Sequence, residues 1–191
     1  MVIFMEWTEY KLKEYLEDKQ NRSVHYKEYL LLIGFIKKIQ PDTIIDIGTF
    51  MGASGHILGT CCDSIKNIYS IDNINSSEYV DKEETSKKEH GKYLPEGSVF
   101  LTDGYNNNLE KLIKLYPNAF VFWDAGKNTI KVIGQLELSY NNNIKYIALH
   151  DTGLRRVRRA INRAINLGWY TIVSEDITSC PNKGVTILKK Q

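Results

Sequence analysis

The apolar positions of this chain change their period twice. Over residues 6–19, Trp7, Tyr10, Leu12, Tyr15 and Leu16 recur near helical spacing in a polar background, and residues 24–39 repeat the pattern with more apolar content. Ser23 stands as the N-cap of that second segment and Pro41 lies just past its end, so two helices are predicted before the chain changes character. From residue 42 onward the signal becomes short β-branched or aromatic runs: 43–47, 67–71, 99–101, 119–123 and 144–149. Helical character returns over 53–62, at Ile130, Ile133, Leu136 and Leu138, and over 154–167, where Leu154, Val157, Ile161, Ala164 and Ile165 mark one face. Short apolar strands separated by helices are the pattern of a parallel sheet covered on both faces. The last two runs, 170–173 and 185–188, flank Pro181-Asn182-Lys183-Gly184 with no helix between them. They predict an antiparallel hairpin at the edge of the sheet. The expectation is an α/β, three-layer sandwich with a mostly parallel seven-stranded sheet.

Composition narrows the class without naming a chemistry. A chain of 191 residues with 42% hydrophobic and 25% charged residues is sized and balanced for one folded domain, not for global disorder. Its formal net charge of +2 supplies no global attraction to nucleic acid or to a membrane surface. The longest apolar stretch, 29–36, is interrupted by Gly34 and followed by Lys37 and Lys38, well below the ~20 residues of a membrane span. The apolar N-terminal run is too short for a signal peptide. Cys61, Cys62 and Cys180 show no metal-ligand spacing, and the adjacent pair reads as core-facing thiols in a reducing, cytoplasmic setting. Exposed aromatics such as Trp7 and Tyr10 are candidates for a lid or a homo-oligomer interface. Residues 73–97, rich in Glu, Lys and Ser, read as a solvated helix and loop. Following the second strand, they also read as a flap over the carboxyl edge of the sheet, where open α/β sheets hold ligands.

The most informative segment is Ile44-Ile45-Asp46-Ile47-Gly48-Thr49-Phe50-Met51-Gly52-Ala53-Ser54, a buried strand, a turn with two glycines and a helix start. Glycines there permit positive φ and close approach of a ligand to the backbone, and the helix offers unpaired N–H groups. The four-residue glycine spacing is not the dinucleotide fingerprint, and the Gly-Lys-Ser/Thr of a P-loop is missing. An acid at Asp46 would repel a pyrophosphate and suits a ligand with a cationic part. Asp72 ends the next strand 26 residues later, where a carboxylate can take both hydroxyls of a ribose or simply cap a turn. Asp103-Gly104, after the third strand, falls where an adenine would be approached or forms a plain turn.

With these residues the chain resembles the class I S-adenosylmethionine-dependent methyltransferases, of Rossmann-like fold, from residue 42 to the closing hairpin. The resemblance implies a single methyltransferase domain over 1–191, with 1–40 a helical substrate-side segment and 41–191 the cofactor-binding core. It implies that Asp46, Gly48 and Gly52 hold the methionine part of S-adenosylmethionine and that Asp72 is the ribose acid, with Thr49, Phe50, Ser54, Asn73, Asp103 and Gly104 completing the cofactor-binding residues. A narrower resemblance, to the metal-dependent catechol and macrolide-sugar O-methyltransferases, rests on Phe122-Trp123-Asp124-Ala125-Gly126-Lys127, on Ile147-Ala148-Leu149-His150-Asp151-Thr152 and on Ser54. In that subgroup the first of these segments supplies a metal-binding Asp and, three residues on, a general base; the second supplies the remaining ligands. Carried over, Asp124, His150 and Asp151 bind Mg²⁺ or another divalent cation, and Lys127 is the base. His150 departs from the subgroup, which has Asp there. Independently, Asp124 and Asp151 end adjacent predicted strands, so their carboxylates can converge, and a bound cation would lower the pKa of a substrate hydroxyl.

Arg155, Arg156, Arg158, Arg159 and Arg163 cluster on the predicted helix over 154–167. They could neutralise phosphates, but the apolar stripe opposite them makes a solvated polar face the better reading. Three functions follow: an O-methyltransferase acting on a hydroxyl of a small molecule, an RNA or protein methyltransferase using the arginine helix, and a non-catalytic S-adenosylmethionine-binding protein. The Asn-Pro-Pro-Tyr signature of amino-group methylation is absent after Phe122, so the first leads.

Overall fold

Helices and strands alternate along the chain as the periodicities predict. The computed structural model describes residues 4–18, 24–72, 91–102, 105–126, 128–177 and 183–191; Ser23, Asn73, Asp103, Gly104, Lys127 and Cys180 fall outside the described residues. The order is α1 (Glu9–Asp18), α2 (Tyr26–Ile39), β1 (Thr43–Ile47), α3 (Ala53–Thr60), β2 (Asn67–Ile71), β3 (Val99–Leu101), α4 (Tyr105–Leu115), β4 (Phe120–Trp123), α5 (Thr129–Asn141), β5 (Tyr146–His150), α6 (Arg155–Asn166), β6 (Tyr170–Asp176) and β7 (Val185–Lys190). The seven strands form one sheet in the order β3-β2-β1-β4-β5-β7-β6. The first five are parallel, and β7 runs antiparallel to both β5 and β6.

Alternation along each strand sends neighbouring side chains to opposite layers. Ile44, Phe120, Phe122 and Ala148 pack with α1, α2 and α3, whose Leu12, Leu32, Ile36 and Ile57 are completely buried. Ile45, Ile47, Val121, Trp123, Ile147 and Leu149 pack with α4, α5 and α6 on the other side. Because both faces are covered, all five residues of β1 are buried, which is why Ile44–Ile47 reads as an apolar run broken only by Asp46.

The sheet order reverses at β1, which has β2 on one side and β4 on the other. Register then fixes what meets at the carboxyl edge. Ile47 lies beside Ile71 and beside Trp123, so Asp72 and Asp124 each follow one step past the strands flanking β1. Trp123 lies beside Leu149, which sets His150 level with Asp124.

Four expectations change. No element is assigned between the third and fourth runs, yet α4 is there, held by Leu109, Leu112 and Ile113. Helix α2 begins at Tyr26, not at 24, and His25 is its N-cap: its Nδ1 accepts from Lys27 N, and Glu28 Oε2 accepts from His25 N at 2.6 Å, which closes a capping box. Trp7 is buried rather than exposed; its Nε1 donates to Thr60 Oγ1 at 3.0 Å and its ring meets Tyr15 and His56 edge-on, while Tyr10 is exposed. The hairpin is longer than its apolar runs, with a bulge between Ile172 and Ser174 on edge strand β6. Cys61 and Cys62 are buried free thiols. Among the described residues no helix is long and apolar enough to cross a membrane.

Candidate active site

The turn after β1 is built from left-handed residues. Gly48, Phe50 and Gly52 have φ of 89°, 48° and 94°. A Cβ on Gly48 would stand 2.5 Å from the backbone oxygen of Asp124, so only glycine lets β1 and β4 close at this edge. Asp46 lies beneath the turn, completely buried. Its Oδ2 accepts from Thr49 Oγ1 at 3.1 Å and from Ser54 Oγ at 2.8 Å, tying the turn to the start of α3, while Oδ1 has no hydrogen-bond partner. Burial pushes the Asp46 carboxyl up to about 7; the two hydroxyls oppose this, and the carboxylates of Asp124 and Asp72 add to it. From β2, Asp72 Oδ2 accepts from Phe50 N at 2.6 Å, locking the second acid to the turn. Three carboxylates from three adjacent strands thus share one edge. The orphaned buried oxygen and the accumulated negative charge fit a ligand with a cationic part.

One strand over, Asp124, His150 and Asp151 each offer a ligand atom, and these atoms all lie within 4.8 Å of one another. His150 Nδ1 is 2.8 Å from Asp124 Oδ1 and 3.8 Å from Asp151 Oδ1. Asp151 reaches this position with φ 56°, a left-handed conformation that Asp tolerates better than most residues. On its far side the imidazole faces Glu28 of α2, with His150 Nε2 3.4 Å from Glu28 Oε2. That separation is an ion-pair distance without hydrogen-bond geometry, since Nε2 itself has no hydrogen-bond partner. Burial alone would lower the His150 pKa; the carboxylates of Asp124, Glu28 and Asp151 outweigh it and raise the value to about 10. Three carboxylates around one imidazole leave surplus negative charge in a buried place. An oxygen-rich donor set with one imidazole, this compact, fits a divalent cation. A small crevice lined by Asp124, Ala125, Gly126, His150 and Asp151 opens beside it.

The expected site residues Asp46, Gly48, Thr49, Phe50, Gly52, Ser54, Asp72, Asp124, His150 and Asp151 therefore gather along one edge, whereas Asn73, Asp103, Gly104 and Lys127 lie outside the described residues. From the polar stretch 73–97, residues 91–94 pack onto the glycine turn: Gly91 N donates to Phe50 O, Tyr93 N to Met51 O, and Leu94 lies against Gly52. Of the clustered arginines, Arg158 is taken up by Glu175 Oε2 at 3.0 Å through both terminal nitrogens, and Arg155, Arg156, Arg159 and Arg163 face solvent. Glu28 is the residue that sequence reasoning missed. Its signal was the spacing from His25, a capping-box pattern with an unusual cap.

No protein-family model matches the chain, and no curated protein matches it. Solved structures do. The O-methyltransferase from Bacillus cereus in complex with S-adenosylhomocysteine superimposes with a TM-score of 0.63 at 14% identity, covering 94% of this chain and 90% of that one. The S-adenosylhomocysteine-bound methyltransferase PaMTH1 of Podospora anserina gives a TM-score of 0.65 at 14% identity, with 94% and 87% covered. TomG, an O-methyltransferase of Streptomyces achromogenes involved in tomaymycin synthesis and solved with S-adenosylmethionine, gives 0.62 at 14% identity, with 100% and 92% covered. The chain has the Rossmann-like fold of these class I O-methyltransferases over nearly its whole length.

Proposed function

We propose that this chain is an S-adenosylmethionine-dependent O-methyltransferase that acts on a hydroxyl of a small molecule with the help of a divalent cation. The observation that carries the reading is the convergence of Asp124, His150 and Asp151 beside the glycine turn, on a fold shared with O-methyltransferases. The cofactor supplies a methyl group on a cationic sulfur, and the cation supplies Lewis acidity toward a hydroxyl. The chain's own residues bind, orient and take up a proton. The turn from Gly48 to Gly52, with Thr49, Phe50 and Ser54, is held by Asp46 and receives the methionine part. Asp72 and Asn73 meet the ribose, and Asp103 and Gly104 lie toward the adenine. Asp124, His150 and Asp151 hold the cation; two carboxylates with one imidazole favour Mn²⁺ or a later first-row ion over Mg²⁺. Lys127, three residues beyond Asp124 in the sequence, would take up the hydroxyl proton as the general base. Fixing both partners in line supplies much of the acceleration. A cytoplasmic setting belongs to the same proposal and accords with the buried free thiols of Cys61 and Cys62.

The test is methyl transfer from labelled S-adenosylmethionine to a panel of catechols and hydroxylated sugars, with Mn²⁺, with Mg²⁺ and with chelator. Turnover that needs the ion and disappears in Asp124→Asn supports the reading. Turnover indifferent to chelator would sink the metal, and transfer only to RNA or protein would sink the acceptor class.

A further inference from the structure

A completely buried glutamate calls for a reason. Glu28 of α2 is 0% exposed, although an N-terminal capping box needs only a side chain at the helix surface and is served equally by Gln. Burying a carboxylate costs free energy that an apolar side chain at the same position would not. Its Oε2 has two neighbours: His25 N at 2.6 Å, which completes the cap, and His150 Nε2 at 3.4 Å, while Oε1 has no hydrogen-bond partner. Nδ1 hydrogen-bonds Asp124 Oδ1 at 2.8 Å and so carries a proton that a bound cation would displace, and Nε2 faces Glu28 Oε2 at 3.4 Å, an ion-pair distance at which the proton can be received once Nδ1 turns to the ion. A metal-binding histidine commonly gives its other ring N–H to a carboxylate, which fixes the tautomer and turns the lone pair toward the ion.

We propose that Glu28 is a positioning residue for the metal site, orienting His150 so that its Nδ1 lone pair faces the cation held with Asp124 and Asp151. The inference rests on the metal reading above and extends it: the N-terminal helical segment is tied into the catalytic edge by one buried carboxylate. The same oxygen also caps α2, so the start of that helix and the orientation of the ligand are coupled mechanically. Replacement of the family's Asp by His150 is then matched by a carboxylate supplied from another layer of the fold.

The experiment is a Mn²⁺ titration of the full chain, with no cofactor or acceptor present, followed by the loss of the free-ion electron paramagnetic resonance signal. Wild type, Glu28→Gln and Asp124→Asn are compared, and urea unfolding of each metal-free protein runs alongside. Gln preserves the capping box but cannot accept the histidine proton as a charge. One Mn²⁺ bound by wild type, with affinity reduced tenfold to a hundredfold in Glu28→Gln at similar unfolding stability, is the expected result. Equal affinity in wild type and Glu28→Gln overturns the role of Glu28 and leaves the metal site standing. No Mn²⁺ binding by wild type overturns both. A measurement on the unmutated chain covers the case in which Glu28→Gln does not fold: ¹⁵N chemical shifts of His150 with Zn²⁺ added. A slowly exchanging Nε2 proton, shifted downfield by a carboxylate acceptor, is expected; an Nε2 proton without that shift overturns the role of Glu28, and a proton on Nδ1 overturns the ligation on which it rests.

Discussion

Asp46→Asn separates the electrostatic cost of the site from its packing. In the folded protein the Asp46 carboxyl holds its proton up to about 7, against an ordinary value of 3.8, because it is completely buried and faces two other carboxylates. The sign follows from proton counting. Below the ordinary value both folded and unfolded chains carry the proton, and the group contributes no penalty. Between the two values the unfolded chain has released it and the folded chain has not, so stability falls as pH rises; above about 7 the loss levels off. The shift amounts to about 4 kcal/mol at full development, of which about 3 kcal/mol appears between roughly pH 5 and pH 8. Asn keeps an oxygen to accept the hydroxyls of Thr49 and Ser54. It places an amide where Oδ1 has no partner, at a cost that does not depend on pH. The assay is urea unfolding of the ligand-free protein at several pH values, wild type beside Asp46→Asn. The wild type should lose about 3 kcal/mol more than the variant across that window; groups distant from Asp46 cancel in the difference, and the coupled acids Asp72 and Asp124 change it only as far as their own titration enters the window. Parallel profiles would instead place Asp46 in a solvated or cation-paired environment.

Other outcomes follow from single contacts. Gly48→Ala forces a Cβ to within 2.5 Å of the Asp124 backbone oxygen at φ 89°, and should cost about 3 kcal/mol or more, read as a large drop in Tm. Trp7→Phe keeps the aromatic packing on Tyr15 and His56 but loses the hydrogen bond to Thr60, and should cost about 1 kcal/mol in chemical unfolding. Arg158→Lys gives up the two-nitrogen grip on a partly exposed Glu175 and should cost no more than about 1 kcal/mol; a larger loss would mean that the pair is better shielded than its exposure implies.

The strands were legible as short β-branched and aromatic runs: 43–47 coincides with β1, which is buried on both faces, and 67–71 and 99–101 coincide with β2 and with the partly exposed edge strand β3. The acids that interrupt or end those runs, Asp46, Asp72 and Asp124, stood out for the same reason. Helix α4 was less visible: among the described side chains Leu109, Leu112 and Ile113 carry its core contribution, after an Asn-rich start in the sequence. Trp7 could not be placed from periodicity, because its burial depends on α3 presenting Thr60 and His56 to it. Glu28 was hidden for a stronger reason. A glutamate in the first turn of a helix is ordinarily a solvated charge. Only the docking of α2 over the end of β5 turns it into a buried partner of His150. Which residues gather at the edge of the sheet was therefore readable strand by strand, while the layer that supports them depended on tertiary packing.

Calorimetric titration of the full chain with S-adenosylmethionine and with S-adenosylhomocysteine, using Asp72→Ala as the control, decides whether this edge of the sheet binds the cofactor. One molecule bound per chain with micromolar affinity, weakened at least about tenfold when the Asp72 carboxylate proposed to meet the ribose is removed, is the predicted result. No binding of either compound by the wild-type protein would contradict the account.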